Sequence, residues 1–278
     1  PQTLAELEEN LLERGPLTMQ TLGNYLLLEP LSEGGMAHIY RAMNRETLDT
    51  SRPVAVKVLK RAYCEDPEYI KRWKREAQIT SSMEHPNLVR VLDWGEQEGI
   101  HYMVMELLKG ATVEEILRRF QSLEEALSLW IIRRLVHTLE TIHLSGLVHG
   151  DIKPENLFLT SDGQVILLDF GAVNHYLTRG HKAPRFLTPG YAPPEQYQPK
   201  SVPDPANDLY AVGATLYEML TGNPPPDAIE RTKGSRLPAP TRKGAVVSAP
   251  TVSALGRTLA LAQEKRPASA HALLGLLP

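Results

Sequence analysis

The sequence predicts an α+β fold in two lobes, the first small and mostly β, the second larger and helical. Three observations predict it. Over residues 25–107, apolar and β-branched runs of strand length alternate with glycine turns, around one charged helical stretch. Over residues 112–144, apolar residues recur at helical spacing. The helical pattern returns from Asp208 and again towards the C-terminus.

Length and composition bound the rest. At 278 residues the chain can bury one large core or two small ones, and 42% hydrophobic with 23% charged residues is the balance of a globular protein. A net charge of −3 favours neither nucleic acid nor an anionic membrane surface. A single cysteine, Cys64, excludes an internal disulfide framework and fits a reducing, cytoplasmic setting. No uninterrupted apolar run is long enough to span a bilayer. The acidic start has no signal-peptide pattern, and the ends at Pro1 and Pro278 are those expected of a domain cut from a longer protein.

In order, Thr3-Leu4-Ala5-Glu6 reads as a capping box, with Leu4, Leu7 and Leu11 at helical spacing behind it. It predicts an amphipathic helix in an N-terminal extension, residues 1–21. That helix packs on its own domain or serves a homodimer or partner contact. Residues 25–31 form a strand leading into Ser32-Glu33-Gly34-Gly35-Met36-Ala37-His38-Ile39, where small residues let backbone N–H groups close over phosphates. Val54-Ala55-Val56-Lys57 is a second strand, and a buried lysine at its end needs a partner. Residues 67–83 are helical and strongly charged, and Glu76 there could equally be one of the chain's many solvated glutamates. Residues 88–94 and 100–107 read as strands joined by a turn at residues 95–99.

In the second part, two helical stretches meet near Gln121-Ser122, and the second ends on His149-Gly150-Asp151-Ile152-Lys153-Pro154-Glu155-Asn156. A short buried strand, residues 165–168, then presents Asp169-Phe170-Gly171, with Asp169 eighteen residues beyond Asp151. Asp151 can accept the proton of an attacking hydroxyl, and Lys153 can steady a transferring phosphoryl group. Asn156 and Asp169 are hard oxygen ligands, suited to Mg²⁺ rather than zinc. Asp208 opens an apolar helix that ends near Gly222. Residues 223–250, rich in proline and glycine, read as loop with one short helix, and residues 250–261 and 268–277 close the chain as helices.

These motifs resemble those of protein kinases, and Lys153-Pro154-Glu155 resembles the serine/threonine branch. Over roughly residues 22–277 the chain resembles a bacterial eukaryotic-like (Hanks-type) serine/threonine protein kinase catalytic domain. The resemblance implies a protein-kinase-like N-lobe, residues 22–107, and C-lobe, residues 108–278, with ATP in the cleft between them. It implies that Lys57, held by Glu76, contacts the α- and β-phosphates. Leu31, Ser32, Gly34, Gly35, Ile39 and Ala55 cover the nucleotide, with Met105 behind the adenine and Phe158 beneath it. The backbone of Glu106 and Leu108 bonds the base. Mg²⁺, or Mn²⁺ in its place, sits on Asn156 and Asp169. Thr188-Pro189-Gly190-Tyr191 resembles the loop that cradles a protein substrate, with Thr188 bonded to Asp151 and Lys153. Asp208 resembles the aspartate that holds the catalytic-loop backbone, and Arg266 resembles the arginine paired with Glu195.

Three positions depart from the family pattern. Ser32 and Ala37 stand where glycines are usual, and both are small enough for close backbone approach. Gly150 stands where many kinases carry the arginine that pairs with a phosphorylated activation segment. Activity independent of phosphorylation at Thr178 is therefore expected. The departures also define a rival reading, a pseudokinase acting as a nucleotide-binding scaffold. A second rival, a small-molecule kinase, is disfavoured by the Thr188 to Glu195 segment.

Overall fold

A computed structural model describes residues 21–47, 52–169, 174–175, 187–198 and 201–278. The predicted N-terminal helix, Phe170, Gly171 and Thr178 lie outside the described residues. Packing divides the chain into two units, Pro1–Glu84 with Val89–Leu108, and His85–Leu88 with Lys109–Pro278.

The first unit contains β1 (Thr21–Leu22), β2 (Tyr25–Glu33), β3 (Ala37–Asn44), β4 (Val54–Leu59), helix α1 (Pro67–Ser82), β5 (Val91–Gln97) and β6 (Ile100–Glu106). The six strands form one antiparallel sheet in the order β1-β2-β3-β4-β6-β5. The two-residue period of a strand sorts β4 between two cores. Val54, Val56 and Val58 pack with Leu22, Tyr25, Leu27, Ala42, Tyr102 and Val104 on one face. Leu59 packs with Trp73, Ala77, Val91 and Met103 on the other. Lys57 shares the parity of Leu59, so it is aimed at α1.

Helix α1 begins at Asp66, whose carboxylate accepts the Glu68 N–H, with Pro67 in the first turn where its missing N–H costs nothing. Trp73, Glu76, Ala77 and Thr80 are buried at helical spacing, so Glu76 belongs to the inner face.

Two sequence expectations change here. The strand expected from residue 88 starts at Val91, because Leu88 instead bridges to Leu167 in the second unit. The turn expected at residues 95–99 shrinks to Glu98 and Gly99, both at positive φ. Gly95 stays in the strand because the Tyr102 hydroxyl crosses it, 2.7 Å from where a Cβ would stand.

The second unit contains β7 (Gly110–Thr112), α2 (Val113–Phe120), α3 (Glu125–Leu144), β8 (Leu147–Val148), β9 (Leu157–Thr160), β10 (Val165–Leu167), β11 (Asn174–His175), α4 (Pro205–Thr221), α5 (Ala228–Thr232), α6 (Ala249–Thr258) and α7 (Ala270–Leu274). Thr112 and Glu115 cap α2 reciprocally. Helices α3 and α4 carry the core through Ile131, Ile132, Leu135, Leu139, Tyr210, Leu216 and Tyr217, all buried. Small antiparallel sheets, β10-β9-β7 and β11-β8, sit at the ends of the loops they support. Helix α4 stops at Gly222, φ 73°, where a Cβ would meet the Gln121 carbonyl at 2.3 Å.

Glu125, in the first turn of α3, ties that helix to the start of α6. Its carboxylate accepts the Ser248 N–H at 3.0 Å, the Ser248 hydroxyl at 2.6 Å and the Thr251 hydroxyl at 2.5 Å. Burial pushes the carboxyl up, but these hydrogen bonds outweigh it and hold Glu125 below the ordinary glutamate value. A depressed folded-state value contributes stability above the ordinary value, lost as the pH falls through the folded one. Glu125→Ala is expected to cost about 2 kcal/mol in neutral urea melts. The deficit against wild type should shrink on acidification, and a deficit constant with pH would contradict this account.

Candidate active site

In the first unit, the Lys57 ammonium donates to Glu76 Oε1 at 2.9 Å, with the two side chains only 12% and 6% exposed. It also lies 5.3 Å from the centre of the Trp73 ring, a cation–π contact that the sequence reading did not include. A charge this buried requires a partner, and the Glu76 carboxylate supplies it. Ser32 lies beside Leu31 in the exposed half of β2, while Gly34 and Gly35 form the turn into β3. Ile39 faces Lys57 in register, and Ala55 faces Met105. The Glu106 N–H is committed to the Arg90 carbonyl at 3.0 Å. Leu108 closes this unit. Phe158 lies in β9 of the second unit, opposite Ile166.

The loop that links β8 to β9 is built on Asp208. This carboxylate, fully buried near the start of α4, accepts the His149 N–H at 2.9 Å, the Gly150 N–H at 2.8 Å and His143 Nε2 at 2.9 Å. Burial pushes its carboxyl up, but His143, His149 and the Gly150 amide outweigh this and hold it below the usual aspartate value. Gly150 has φ 81°, a region that costs a residue with a Cβ roughly 1–2 kcal/mol. His149 Nε2 donates to the Leu168 carbonyl at 3.2 Å, while its Nδ1 accepts the Asp151 N–H at 3.4 Å. The loop is thus tied both to α4 and to the strand end before Asp169.

Asp151 lies at the centre of the donors that gather here. The Thr188 hydroxyl donates to its Oδ1 at 2.8 Å. The Lys153 ammonium reaches its Oδ2 at 3.0 Å and Glu155 Oε2 at 2.9 Å. Asn156 Nδ2 donates to the Asp151 carbonyl at 2.7 Å and to Oδ2 at 3.2 Å, so the amide oxygen is turned the other way. Burial works against the Lys153 charge, but Asp151 and Glu155 prevail and raise its pKa above the ordinary lysine value. It therefore stays cationic through the neutral range. The expected Lys153–Thr188 bond is replaced by a shared partner, since both donate to Asp151.

Leu168 N–H donates to the Asn156 carbonyl at 2.8 Å, which brings the stem of Asp169 alongside Asn156. Asp169 has φ 49°, sparsely populated by non-glycine residues and common where a side chain is aimed for function. Among the described residues, no group of three or more His, Cys, Asp or Glu side chains gathers as a metal cage. Two oxygen-donor residues suit Mg²⁺, which fills its other positions with phosphate and water.

Further partners lie nearby. Gly190 N–H donates to Asp227 Oδ2 at 3.4 Å, Tyr197 bonds the same carboxylate, and the Tyr191 hydroxyl bonds Glu218. Burial and the Glu218 bond raise the Tyr191 pKa, so its hydroxyl stays protonated. Arg266 Nη2 donates to Glu195 Oε2 at 2.9 Å and its Nε to the Ala260 carbonyl at 2.8 Å, anchoring the end of this segment. The sequence reading missed His143, Glu218 and Asp227. His143, the basic residue in the last turn of α3, was the one local signal available.

Among the described residues, no helix is long and apolar enough to cross a membrane. The protein kinase domain model matches residues 25–272. The serine/threonine-protein kinase PrkC of Bacillus subtilis is 36% identical over 207 residues, 74% of this chain and 31% of PrkC. The serine/threonine-protein kinase PknL of Mycobacterium tuberculosis is 33% identical over 215 residues, 76% of this chain and 53% of PknL. The chain thus spans between about a third and a half of the length of these relatives. The crystal structure of the Mycobacterium tuberculosis PknI kinase domain matches with TM-score 0.72 at 25% identity, covering 94% of this chain and 97% of that one. The chain belongs to the protein kinase domain family, as a serine/threonine kinase domain of the bacterial Hanks type.

Proposed function

We propose that this chain transfers the γ-phosphoryl group of ATP to serine or threonine hydroxyls of proteins, itself included. The observation that carries the reading is the Asp151 carboxylate, held by Thr188, Lys153 and Asn156 beside the stem of Asp169. Residues 22–107 are assigned to holding the nucleotide, residues 108–278 to the chemistry and the protein substrate. The amphipathic pattern within residues 1–21 is kept for packing on its own domain or for a homodimer or partner contact. The need for ATP places the reaction in the cytoplasm.

Lys57, fixed by Glu76, holds the α- and β-phosphates. Asn156 Oδ1 and the Asp169 carboxylate would hold Mg²⁺, which would supply charge neutralisation for the phosphate groups. Asp151 orients the substrate hydroxyl and takes its proton as the oxygen attacks the γ-phosphorus. The new O–P bond forms as the bond to the β-bridging oxygen breaks, and ADP leaves. Lys153 offsets the charge on the transferring group. Thr188 fixes the Asp151 rotamer and ties the substrate loop to the catalytic loop.

Labelled ATP with Mg²⁺ tests this directly, comparing wild type, Lys57→Met and Thr178→Ala, with sites mapped by mass spectrometry. Wild type should label itself and a generic protein substrate. Lys57→Met should lose at least about a hundredfold, because a transition-state cation is removed. Thr178→Ala should retain most activity, since Gly150 offers no guanidinium to a phosphate there. Abolished activity in Thr178→Ala would sink that independence. A wild type that binds ADP but transfers nothing would favour the scaffold reading.

A further inference from the structure

Lys60 straps the glycine turn of the first unit from one side. The turn is closed by the Gly34 N–H donating to the Ala37 carbonyl at 2.9 Å. It joins the exposed end of β2, where Glu33 faces His38 in register, to the start of β3. Leu59, the last residue of β4, faces Ala37. Lys60 follows, and its backbone N–H donates to the Met36 carbonyl at 2.9 Å. Its ammonium donates to Glu33 Oε1 at 3.0 Å, with the lysine side chain 24% and the glutamate 70% exposed. One residue therefore holds both limbs of the turn, Met36 through its main chain and Glu33 through its side chain. His38 Nδ1 lies 3.9 Å from the same Glu33 oxygen, a weaker second attraction. The Lys60 bond also keeps the Glu33 carboxyl below its ordinary value, so this carboxylate is ionised at neutral pH.

Apart from Met36, which packs against the cluster of Leu59, Trp73 and Met103, the turn has little else to hold it. A Cβ on Gly35 would meet nothing within 4 Å, and the strand end is exposed from Glu29 to Glu33. A segment with few apolar contacts opens at low free-energy cost, so one polar tie changes its population measurably.

We propose that Lys60 is a positioning residue for the nucleotide, its bond to Glu33 setting how long the turn stays closed over bound phosphates. The use of the strap rests on the nucleotide reading above, whereas its geometry does not. Lys60→Met keeps the apolar stem and removes the charge, and Glu33→Ala removes the other partner. Two readouts separate the strap from its use. Amide hydrogen exchange across residues 32–37 of the unliganded chain reads the strap alone. Calorimetric binding of ADP with Mg²⁺ reads its effect on the nucleotide. Each single substitution should speed exchange in the turn and raise the ADP dissociation constant about two- to fivefold, the range of a half-exposed ion pair. The double variant should be no weaker than either single one, because both remove the same bond. Unchanged exchange overturns the strap, and faster exchange with unchanged affinity overturns its positioning role. Fully additive losses in the double variant overturn the pairing. A wild type that binds no ADP overturns the nucleotide reading and this use of the strap with it.

Discussion

Asp151→Asn should cut phosphoryl transfer by about three to four powers of ten while leaving ADP affinity within a few fold. The carboxylate has two tasks, orienting the attacking hydroxyl and accepting its proton. An amide of the same size retains part of the first and loses the second. Lys153 keeps Glu155 at 2.9 Å after the change, so its ammonium is not left unpaired. Thr188 can still donate to the remaining oxygen, which preserves the tie to the substrate loop. Stability should therefore change by less than about 1 kcal/mol, the size of a half-exposed hydrogen bond. Single-turnover transfer beside a urea melt separates the two effects. A rate loss below tenfold would remove Asp151 from the proton transfer. A large loss of stability would mean that the donors around it serve the fold rather than the reaction.

How much of this was legible in the sequence depends on how far apart the partners lie and whether chemistry restricts their types. That Lys57 needs a partner was legible because a buried strand lysine is expensive alone, but only the resemblance to the kinase pattern pointed to Glu76. The bond stands at 2.9 Å. Asp151, Asn156 and Asp169 were legible because phosphoryl transfer restricts the residue types and their order. Other contacts left no local trace. Tyr191 meets Glu218 and Gly190 meets Asp227 across 27 and 37 residues of chain, and neither acid stands in a recognisable spacing. Only the fold brings Asp208 to His143, across 65 residues. The apolar run at Leu88 could not reveal that its partner is Leu167 rather than β6, because a two-residue period fixes a face and not a neighbour. Lys60 and Glu33 lie 27 residues apart, and only the sheet register places them on either side of one turn.

Asp208→Ala should cost about 3–5 kcal/mol and abolish transfer although no substrate atom touches this residue. Three donors converge on the carboxylate, and removing it leaves His143, His149 N–H and Gly150 N–H buried without it. The loss should exceed that of Asp208→Asn, which keeps one oxygen but turns an N–H group towards a donor, at roughly 2–3 kcal/mol. The consequence for activity follows from Gly150, which is held at φ 81° by its bond to Asp208. Release of that bond frees the peptide that orients Asp151. Acid should expose the same linkage. The folded-state pKa of Asp208 lies below its unfolded value, so its contribution is complete above the ordinary aspartate range and fades as the pH falls through the folded value. Wild type should lose stability across that window, and Asp208→Asn should lose less, so that their melts converge in acid. Parallel pH profiles for the two would show that Asp208 titrates alike in the folded and unfolded chains. They would also transfer the anchoring of the catalytic loop from its charge to packing around α4.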